Sequence, residues 1–537
     1  MLAVLAGLAQ AVSIAAPWNG QPLWWLQLLS LAALYTLLAR APRWPRAALL
    51  GWLFSSAWLC GSIWWLYVSM HTYGGLAAPL AAAAAFLLAA TLALYYTAAA
   101  AVQAVLAPRH AVVRVILFTA LWTLAELLRG HWFTGFPWAA GGYAHVDGPL
   151  SMFAPWVGVY GVGALGATLA AVLALSLSRL LSPAPWRQRR MAGGALLVLL
   201  LFLIKAGIGA HCLHEGCARR LPGREAGSHE RQNDPNDGSA RSTGRLQVAL
   251  LQGNIPQDQK FVPGAGIDIA LRWYAQQLQS ATAALVVTPE TALPLLPGQL
   301  PQGYLADIAW HYAQGGQAAI IGLPLVGTGG YSNSLIGLAP DLAQPYRYDK
   351  HHLVPFGEFV PPLFRWFVAA MRIPLGDFHR GALPQPPFIW QGQRIAPNIC
   401  YEDLFSEEIG AGFRSAALAP TILLNISNLG WFGDTVALDQ HLAIARMRAI
   451  EFDRPVISAT NTGATTVIDH RGRITAMLPR LTRGVLVAEV EGRSGLTFYA
   501  RWVSRFALAP LWIGTLAVVA LVWAARLRRG RRSGRAV

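Results

Sequence analysis

The chain has 537 residues, of which 55% are hydrophobic and only 13% charged, and its formal net charge is +16. This composition argues against an ordinary soluble protein and is typical of a polytopic membrane protein that carries a folded extramembrane domain. Most of the positive charge lies in short loops beside apolar stretches, so the basic balance is poor evidence for a nucleic-acid partner, and none is predicted.

Eight apolar stretches are long enough to cross a bilayer, and we predict a transmembrane helix in each of them. Seven lie within residues 1–210 and the eighth lies near the C-terminus. The first stretch lacks a basic n-region and an obvious small-residue cleavage site, so it is interpreted as a retained helix rather than a signal peptide. The predicted spans are residues 2–17, 22–40, 46–68, 76–106, 111–129, 156–181, 192–210 and 507–525.

Arginine residues orient this predicted bundle. Alternate loops and the C-terminal tail 526–537 hold fourteen arginines and no acidic residue, whereas the opposite connections 18–21, 69–75 and 130–155 hold no Lys or Arg. The positive-inside rule therefore places both termini, and the basic tail, in the cytoplasm. By the same parity, everything between the seventh and eighth spans lies outside the cytoplasm.

A polar stretch at residues 211–244 is predicted to be a flexible extracytoplasmic linker, because it is rich in Arg, Gly, Asn, Asp and Ser. Cys212 and Cys217 at its start lie on the oxidising side and either close a small disulfide or remain free. His211 and His214 beside them match no structural zinc spacing, and no metal site is predicted.

Residues 245–492 have the pattern of a soluble α/β domain. Short apolar, β-branched runs alternate there with helical stretches near 266–282, 303–314, 403–412 and 434–453. The predicted strands are Leu246–Leu251, Leu285–Thr288, Ala318–Leu323, Ser334–Leu338, Ile395–Ile399, Ile422–Ile426, Val456–Ala459 and Val485–Val490.

Cys400 is the strongest catalytic candidate, since it directly follows an apolar run and precedes a helical-looking segment. A helix N-terminus at that turn would favour the thiolate and hold an oxyanion formed beside it. Glu290 and Lys350 are expected at the ends of other strands. A carboxylate, an ammonium and a thiol would form a covalent acyl-transfer site if these strands lie side by side, and such chemistry requires no metal or cofactor.

Each of these residues also has a structural interpretation. Cys400 could be an inert core thiol, Glu290 a helix-start residue after proline, and Lys350 a surface lysine. Glu358 could brace its loop through hydrogen bonds, and Glu402 could complement the dipole of the following helix.

The segment Pro361–Met371 is too apolar and aromatic for a loop exposed to water. We predict that Phe364, Trp366 and Phe367 within it contact the membrane or an acyl chain, which favours a lipid substrate over a soluble amide.

The sequence motifs resemble those of known enzymes. Glu290, Lys350 and Cys400 occur in the contexts Thr-Pro-Glu, Asp-Lys-His-His-Leu-Val-Pro-Phe-Gly-Glu and Ile-Cys-Tyr-Glu, an order that resembles the nitrilase superfamily. With the eight spans and the segments Gln252–Gln257 and Phe133–Trp138, the whole chain resembles the bacterial apolipoprotein N-acyltransferase family.

That resemblance implies an αββα sandwich attached to an α-helical membrane bundle, located in the bacterial inner membrane with the catalytic domain in the periplasm. It implies Glu290 as general base, Lys350 as the group that stabilises the oxyanion, and Cys400 as nucleophile. An acyl chain would pass from a phospholipid to Cys400 and then to the N-terminal amine of a diacylated lipoprotein.

Further positions match the same family pattern. Glu358, Tyr401 and Glu402 are expected to support the catalytic residues, and Trp431 and Phe261 to line the substrate site. Phe261 stands where the family usually has Trp, and Leu429-Gly430 before Trp431 stands where Asp-Ala is expected.

Two rival functions are considered. One is a membrane-anchored nitrilase-type amidase in which water accepts the acyl group, although eight spans are excessive for an anchor. The other is a transporter, which is disfavoured because the spans hold few charges. Glu126 and Arg129 in the fifth span form either a lipid headgroup contact or an i,i+3 ion pair.

Overall fold

The computed structural model describes residues 1–181, 241–327, 329–360 and 378–533, together with 186, 190, 193, 194 and 196. The predicted seventh span 192–210 and linker 211–244, with its two cysteines, fall largely outside these residues. The aromatic segment that contains Phe364, Trp366 and Phe367 lies wholly outside them.

Apolar helices form the N-terminal part of the chain and its C-terminal end. Four are long and apolar enough to cross a membrane: Ala78–Leu106, Ala111–Thr134, Pro149–Leu181 and Ala509–Arg528. The pair Trp44–Ile63 and Leu66–Tyr73 is bent by 58° and would count as a fifth if it is one span. The individual helices are Leu2–Ile14, Trp24–Ala39, Trp44–Ile63, Leu66–Val68, Ala78–Leu92, Leu94–Leu106, Ala111–His131, Ala154–Leu181 and Ala509–Ser533, with a π-helical turn at Ser69–Tyr73.

The described residues thus hold four, or at most five, helices of spanning length rather than the eight predicted. Two predicted spans, those at 2–17 and 22–40, are the shorter helices Leu2–Ile14 and Trp24–Ala39. At a rise of about 1.5 Å per residue, 13 residues cover about 20 Å, less than a hydrocarbon core of about 30 Å. Hydropathy alone registered apolar residues beyond the points at which these helices end.

Glu126 and Arg129 are fully buried and hold the chain that follows their helix. Arg129 donates to the carbonyl oxygens of Phe136 and Trp138, each at 2.6 Å. Glu126 accepts a hydrogen bond of 2.7 Å from the Gly141 amide. Because the two side chains bind separate backbone groups, they act as clamps on this segment, and neither of the two predicted interpretations describes them.

The soluble domain is a sandwich of two six-stranded sheets. The first sheet has the order β12-β1-β2-β3-β4-β5 and the second the order β11-β10-β9-β8-β7-β6, and both mix parallel and antiparallel pairs. The strands are β1 Ser242–Gln252, β2 Leu285–Val287, β3 Ala318–Gly327, β4 Gly330–Leu338, β5 Tyr346–Asp349, β6 Phe388–Trp390, β7 Gln393–Ile399, β8 Ile422–Ser427, β9 Val456–Thr460, β10 Thr466–Ile468, β11 Ile474–Met477 and β12 Gly484–Arg493.

Apolar side chains from both sheets fill the space between them, among them Leu250, Val287, Ile399, Leu424 and Ile457. Central strands are buried on both faces, so they are nearly continuous apolar runs, which is why the sequence reveals them. Each such side chain contributes about 1.5–3 kcal/mol of burial free energy.

Helices cover both outer faces of the sandwich, so the nitrilase-like αββα fold is confirmed. Gly266–Ser280 and Tyr304–Gln314 pack on the first sheet, and Val436–Phe452 packs on the second. The remaining helices of the domain are Ser406–Ala411 and Phe498–Phe506.

The helix Val436–Phe452 also joins the sandwich to the membrane bundle. Its Gln440 is buried, accepts hydrogen bonds from the indoles of Trp65 at 3.1 Å and Trp138 at 2.6 Å, and donates to the Ser62 carbonyl at 3.0 Å. One apolar core runs through both parts, so the two form a continuous packed unit.

We expect Gln440→Leu to loosen this junction. Leucine keeps similar volume but leaves the buried Trp138 indole without a partner, at a cost of about 1–3 kcal/mol, and removes one of the two hydrogen bonds that the Trp65 indole makes. The thermal unfolding midpoint of the purified protein in detergent should fall by several degrees. Gln247→Leu is the matched control, because Gln247 is exposed on β1 and should leave the midpoint unchanged. An equal midpoint for the two variants would contradict a stabilising role for Gln440.

Candidate active site

The three predicted catalytic residues meet at one place, but they come from both sheets. Glu290 follows β2 and Lys350 follows β5 in the first sheet, whereas Cys400 follows β7 in the second. The strands therefore do not lie side by side, which was the condition set for such a site. The two sheets face each other, and the site forms where their strand ends converge.

Lys350 is the centre of the site and has 0% exposed surface, so it is not a surface lysine. Its Nζ lies 2.9 Å from Glu358 Oε1 and 3.3 Å from Glu290 Oε1. Two carboxylates thus share one buried ammonium, which offsets part of the cost of burying three charges.

Asn333 on β4 links the same two carboxylates. Its Nδ2 donates to Glu290 Oε1 at 2.7 Å and to Glu358 Oε1 at 2.6 Å. The other oxygen of Glu290 accepts a hydrogen bond of 2.8 Å from the Asn428 amide. These bonds hold the Glu290 carboxylate in one orientation, and its role as a helix-start residue is not observed.

The charges of the site shift the pKa of each member. Burial alone would raise the pKa of Glu290, but Lys350, the Asn333 hydrogen bond and Lys260 outweigh it, so the pKa is lowered and Glu290 is ionised at neutral pH. Burial would lower the pKa of Lys350, yet Glu290 and Glu358 raise it above its ordinary value. The resting site is therefore an ammonium held by carboxylates.

Cys400 has a backbone φ of 54°, an unfavourable conformation for a residue other than glycine. Its carbonyl oxygen accepts hydrogen bonds from Asn425 Nδ2 at 3.2 Å and from His441 Nε2 at 3.4 Å, and these bonds hold the strained turn. Burial first, and then Glu290, raise the pKa of the Cys400 thiol, although Lys350 opposes them. The thiol is therefore neutral at rest and has the Glu290 carboxylate as its hydrogen-bond partner.

The helix expected after Cys400 is not a regular α-helix. Cys400–Leu404 is a single 3-10 turn, and the α-helix that follows, Ser406–Ala411, has 6 residues. The Cys400 thiol is neutral at rest, so stabilisation of a thiolate or an oxyanion by this N-terminus stays a prediction. Lys350 is the cation that lowers the pKa of the thiol.

Glu402 fastens the Cys400 turn to the loop that carries Lys350. Its carboxylate accepts hydrogen bonds from the backbone amides of Ile399, His351 and His352 at 2.6, 2.6 and 3.1 Å, and from the Tyr348 hydroxyl at 2.9 Å. Burial raises the pKa of Glu402 to about 7, with the backbone hydrogen bonds opposing the shift. Glu402 therefore braces two loops through hydrogen bonds, a role that differs from the predicted interaction with a helix dipole.

Two further contacts tie the site to the membrane part of the chain. Tyr401 is buried and donates to the Gly135 carbonyl at 2.9 Å. His352 Nε2 lies 2.8 Å from the Thr134 carbonyl, and its ring stacks on Phe405. Both carbonyls belong to the corner that follows the helix Ala111–His131, where φ is positive at Phe133, Thr134 and Gly135.

The predicted substrate-lining residues have different outcomes. Trp431 is half-buried and its ring lies 6.2 Å from that of Tyr73 in the bent segment of the bundle. Phe261 is half-buried beside Lys260, whose Nζ lies 6.0 Å from the ring centroid. Phe261 lies in the turn after β1, and Trp431 lies in the 3-10 helix Leu429–Phe432. Phe364, Trp366 and Phe367 lie in the segment that the structure does not describe.

Sequence reasoning missed several polar residues of the site, namely Lys260, Asn333, Tyr348, Asn428 and His441. Asn333 and Tyr348 lie on strands, where the side-chain alternation gives no sign of chemistry. Lys260 could have been found from its sequence context, because a lysine between apolar and turn residues in a domain with only two lysines is unusual.

Comparisons with known proteins identify both parts of the chain. Residues 6–172 match the family model described as the apolipoprotein N-acyltransferase N-terminal domain, and residues 247–497 match the carbon-nitrogen hydrolase model. A protein of Verminephrobacter eiseniae named apolipoprotein N-acyltransferase is 54% identical, covering 99% of this chain and 97% of that protein. Proteins of the same name from Ralstonia nicotianae and Bordetella bronchiseptica are 44% and 42% identical, covering 96% and 98% of this chain and 91% and 96% of theirs.

The bonds of Asn333 predict a pH effect. Replacing Asn333 with Leu removes a hydrogen bond that favours the ionised form of Glu290, so the pKa of Glu290 should rise. A base acts above its own pKa, so the acidic limb of the rate of Cys400 acylation by a short activated ester should move to higher pH by the same amount. Tyr348→Phe is the matched control, since it removes a hydrogen bond from Glu402 instead. A limb that stays in place in the Asn333 variant would refute the assignment.

Proposed function

The chain belongs to the apolipoprotein N-acyltransferase family, and from that membership we propose that it moves an acyl chain from a phospholipid, through a thioester on Cys400, to a lipoprotein N-terminus. The acceptor is the α-amino group of a diacylglyceryl-cysteine. The observation that carries this proposal is a neutral buried thiol beside an ionised Glu290 and the ammonium of Lys350, at a junction with apolar helices.

The first half-reaction forms the thioester. Glu290 accepts the thiol proton while the sulfur of Cys400 bonds to the ester carbonyl carbon, and the oxyanion that develops faces the Lys350 ammonium. The carbon–oxygen bond of the ester then breaks. The proton passes from Glu290 to the departing oxygen, which leaves as the hydroxyl of a lysophospholipid.

The second half-reaction uses the same groups in reverse. The acceptor amine attacks the thioester carbon, Lys350 again stabilises the oxyanion, and the carbon–sulfur bond breaks. Glu290 takes the proton that the amine loses and returns it to the sulfur. The products are an amide on the lipoprotein and the resting thiol, so no proton or electron is left over.

The remaining predicted residues take supporting roles in this proposal. Glu358 holds Lys350 in position, and Glu402 and Tyr401 hold the turns on which Lys350 and Cys400 lie. Trp431 and Phe261 are proposed to line the route of the substrate, because Trp431 lies three residues after Asn428, which binds Glu290, and Phe261 lies beside the buried Lys260.

The protein is a membrane protein, and we propose the finer topology given by the arginine pattern. The proposed topology has eight spans in the bacterial inner membrane, with both termini in the cytoplasm and the catalytic domain in the periplasm. The shorter helices Leu2–Ile14 and Trp24–Ala39 fit this scheme if the bilayer thins around them or their flanking residues snorkel.

A nitrilase-type amidase that transfers the acyl group to water is the alternative. It would use the same three residues, so the site geometry fits both. The relatives that match nearly the whole chain are named as acyltransferases, which favours transfer to an amine.

The proposed chemistry predicts a covalent intermediate. Incubation of the purified protein with phospholipid, without acceptor, should add an acyl mass to the peptide that contains Cys400, and a diacylated lipopeptide should remove it as a triacylated product. Cys400→Ala should form no adduct, whereas Cys60→Ala should form it normally, because Cys60 lies on the helix Trp44–Ile63. An adduct that persists in the Cys400 variant would refute the covalent mechanism. Release as free fatty acid even with acceptor present would favour the amidase.

The proposed topology predicts which side of the membrane each segment faces. A cysteine placed in the tail 526–537 should react with a membrane-impermeant maleimide only after the inner membrane is opened. A cysteine at the exposed Gln247 on β1 should react once the outer membrane alone is permeable. Labelling of both positions under the same condition would overturn the assignment of sides.

A further inference from the structure

Lys260 is a second buried lysine in the site, and the mechanism above does not use it. It ends the turn that follows β1, and only 2% of its surface is exposed. Its Nζ donates to the backbone carbonyl of Glu290 at 3.2 Å. It therefore touches the residue that carries the general base rather than the base's carboxylate.

The turn that carries Lys260 is held against the site at a second point. Gln257 accepts a hydrogen bond of 2.8 Å from Asn428 Nδ2, and the amide of that same Asn428 donates to Glu290 Oε2. The turn is thus joined to Glu290 at two points, directly through Lys260 and indirectly through Gln257 and Asn428.

The Lys260 ammonium changes the net charge of the buried site. Glu290 and Glu358 contribute two negative charges and Lys350 contributes one positive charge, so the cluster without Lys260 would carry a net charge of −1. If the proton of Cys400 leaves the site, as it does on alkylation, that charge becomes −2 in a buried space; if Glu290 takes the proton, the net charge stays at −1. With Lys260 the resting cluster is neutral, and a negative charge on sulfur forms at a lower cost.

We infer that Lys260 is a positioning residue that acts through Glu290 and Cys400, as the second cation that balances the site when the sulfur becomes negative. The catalytic use of this role rests on the proposed function. The electrostatic effect of Lys260 on the sulfur does not, because it is present whatever acyl group is transferred. Lys350 is the cation proposed to stabilise the oxyanion, whereas Lys260 interacts electrostatically with the base Glu290 and the nucleophile Cys400.

The burial of Lys260 limits the pH range in which it can act. Burial lowers the pKa of Lys260 to about 8, although Glu290 and Cys400 oppose the shift. The ammonium is therefore charged near neutral pH and loses its charge above about pH 8. The other groups that face Cys400 are Glu290, Lys350 and Glu358, with His441 at its carbonyl.

Alkylation of Cys400 measures this effect without lipid or lipoprotein. The rate at which iodoacetamide modifies the Cys400 peptide, followed by mass spectrometry, is proportional to the thiolate fraction at pH values below the thiol pKa. In the full-length protein, Lys260→Met should slow alkylation by about tenfold at neutral pH, which corresponds to a rise of about one unit in the thiol pKa.

The wild-type protein supplies an internal test of the same idea. Because Lys260 itself loses its proton above about pH 8, the ratio of wild-type to Lys260→Met rates should fall towards one by about pH 10. Lys260→Arg, which keeps its charge, should retain a rate above that of the Met variant over the whole range.

Arg454→Met is the matched control. Arg454 is also buried and also donates to backbone carbonyls, those of Pro420 and Gly495 among them, but it lies at the other end of β8 from Cys400. It should lower the unfolding midpoint and leave the alkylation rate of folded protein unchanged. Equal alkylation rates for wild type and Lys260→Met at neutral pH, or a rate ratio that does not change with pH, would overturn the inference. A normal alkylation result with no acyl transfer to lipopeptide would instead count against the proposed function alone.

Discussion

The fully buried ammonium of Lys350 is the constraint on which the site depends. An isolated ammonium would lose several kcal/mol on leaving water, so the fold must bring carboxylates to it. Glu290 and Glu358 do so, and they in turn need donors for their other lone pairs, which Asn333 and the Asn428 amide supply. The ends of β2, β5 and β8 and the Asn333 position on β4 are therefore fixed relative to one another by one charge, and small displacements of any of them would leave a buried charge without a partner.

The same charges determine how the nucleophile is kept. Burial raises the pKa of the Cys400 thiol and the carboxylates beside it raise it further, so Cys400 does not rest as a thiolate paired with a cation. A neutral thiol reacts slowly with oxidants and with adventitious electrophiles. In the proposed mechanism, deprotonation accompanies attack on a bound carbonyl, when the developing oxyanion beside Lys350 compensates for the proton that Glu290 receives. Reactivity is thus coupled to the presence of an acyl group in the site.

How far the sequence predicts this structure depends on whether a feature is local. The eight predicted strands were found because buried strands are continuous apolar runs, and Glu290, Lys350 and Cys400 were found because each lies in a distinctive motif. The strands β5, β6, β10 and β11 were missed; they have 3 or 4 residues each, and β11 is largely exposed, so they lack a pattern. Asn333 gains its role only because β4 passes between two carboxylates, and no local signal contains that tertiary arrangement. Hydropathy extended the predicted spans 2–17 and 22–40 past the ends of their helices for the complementary reason, since it records composition and not where a helix ends.

The attachment of the sandwich to the bundle bears on why this site would serve a lipid. In a soluble sandwich the outer face of Val436–Phe452 would meet water, but here it packs against apolar helices and bonds to them through Gln440. The corner after Arg129 reaches the site itself, where its carbonyls receive Tyr401 and contact His352. The bundle therefore does more than anchor the domain, because it supplies part of the support on which the Cys400 turn is built. A nucleophile supported in this way is held at a fixed position relative to the apolar helices, as the proposed acyl transfer from a membrane lipid requires.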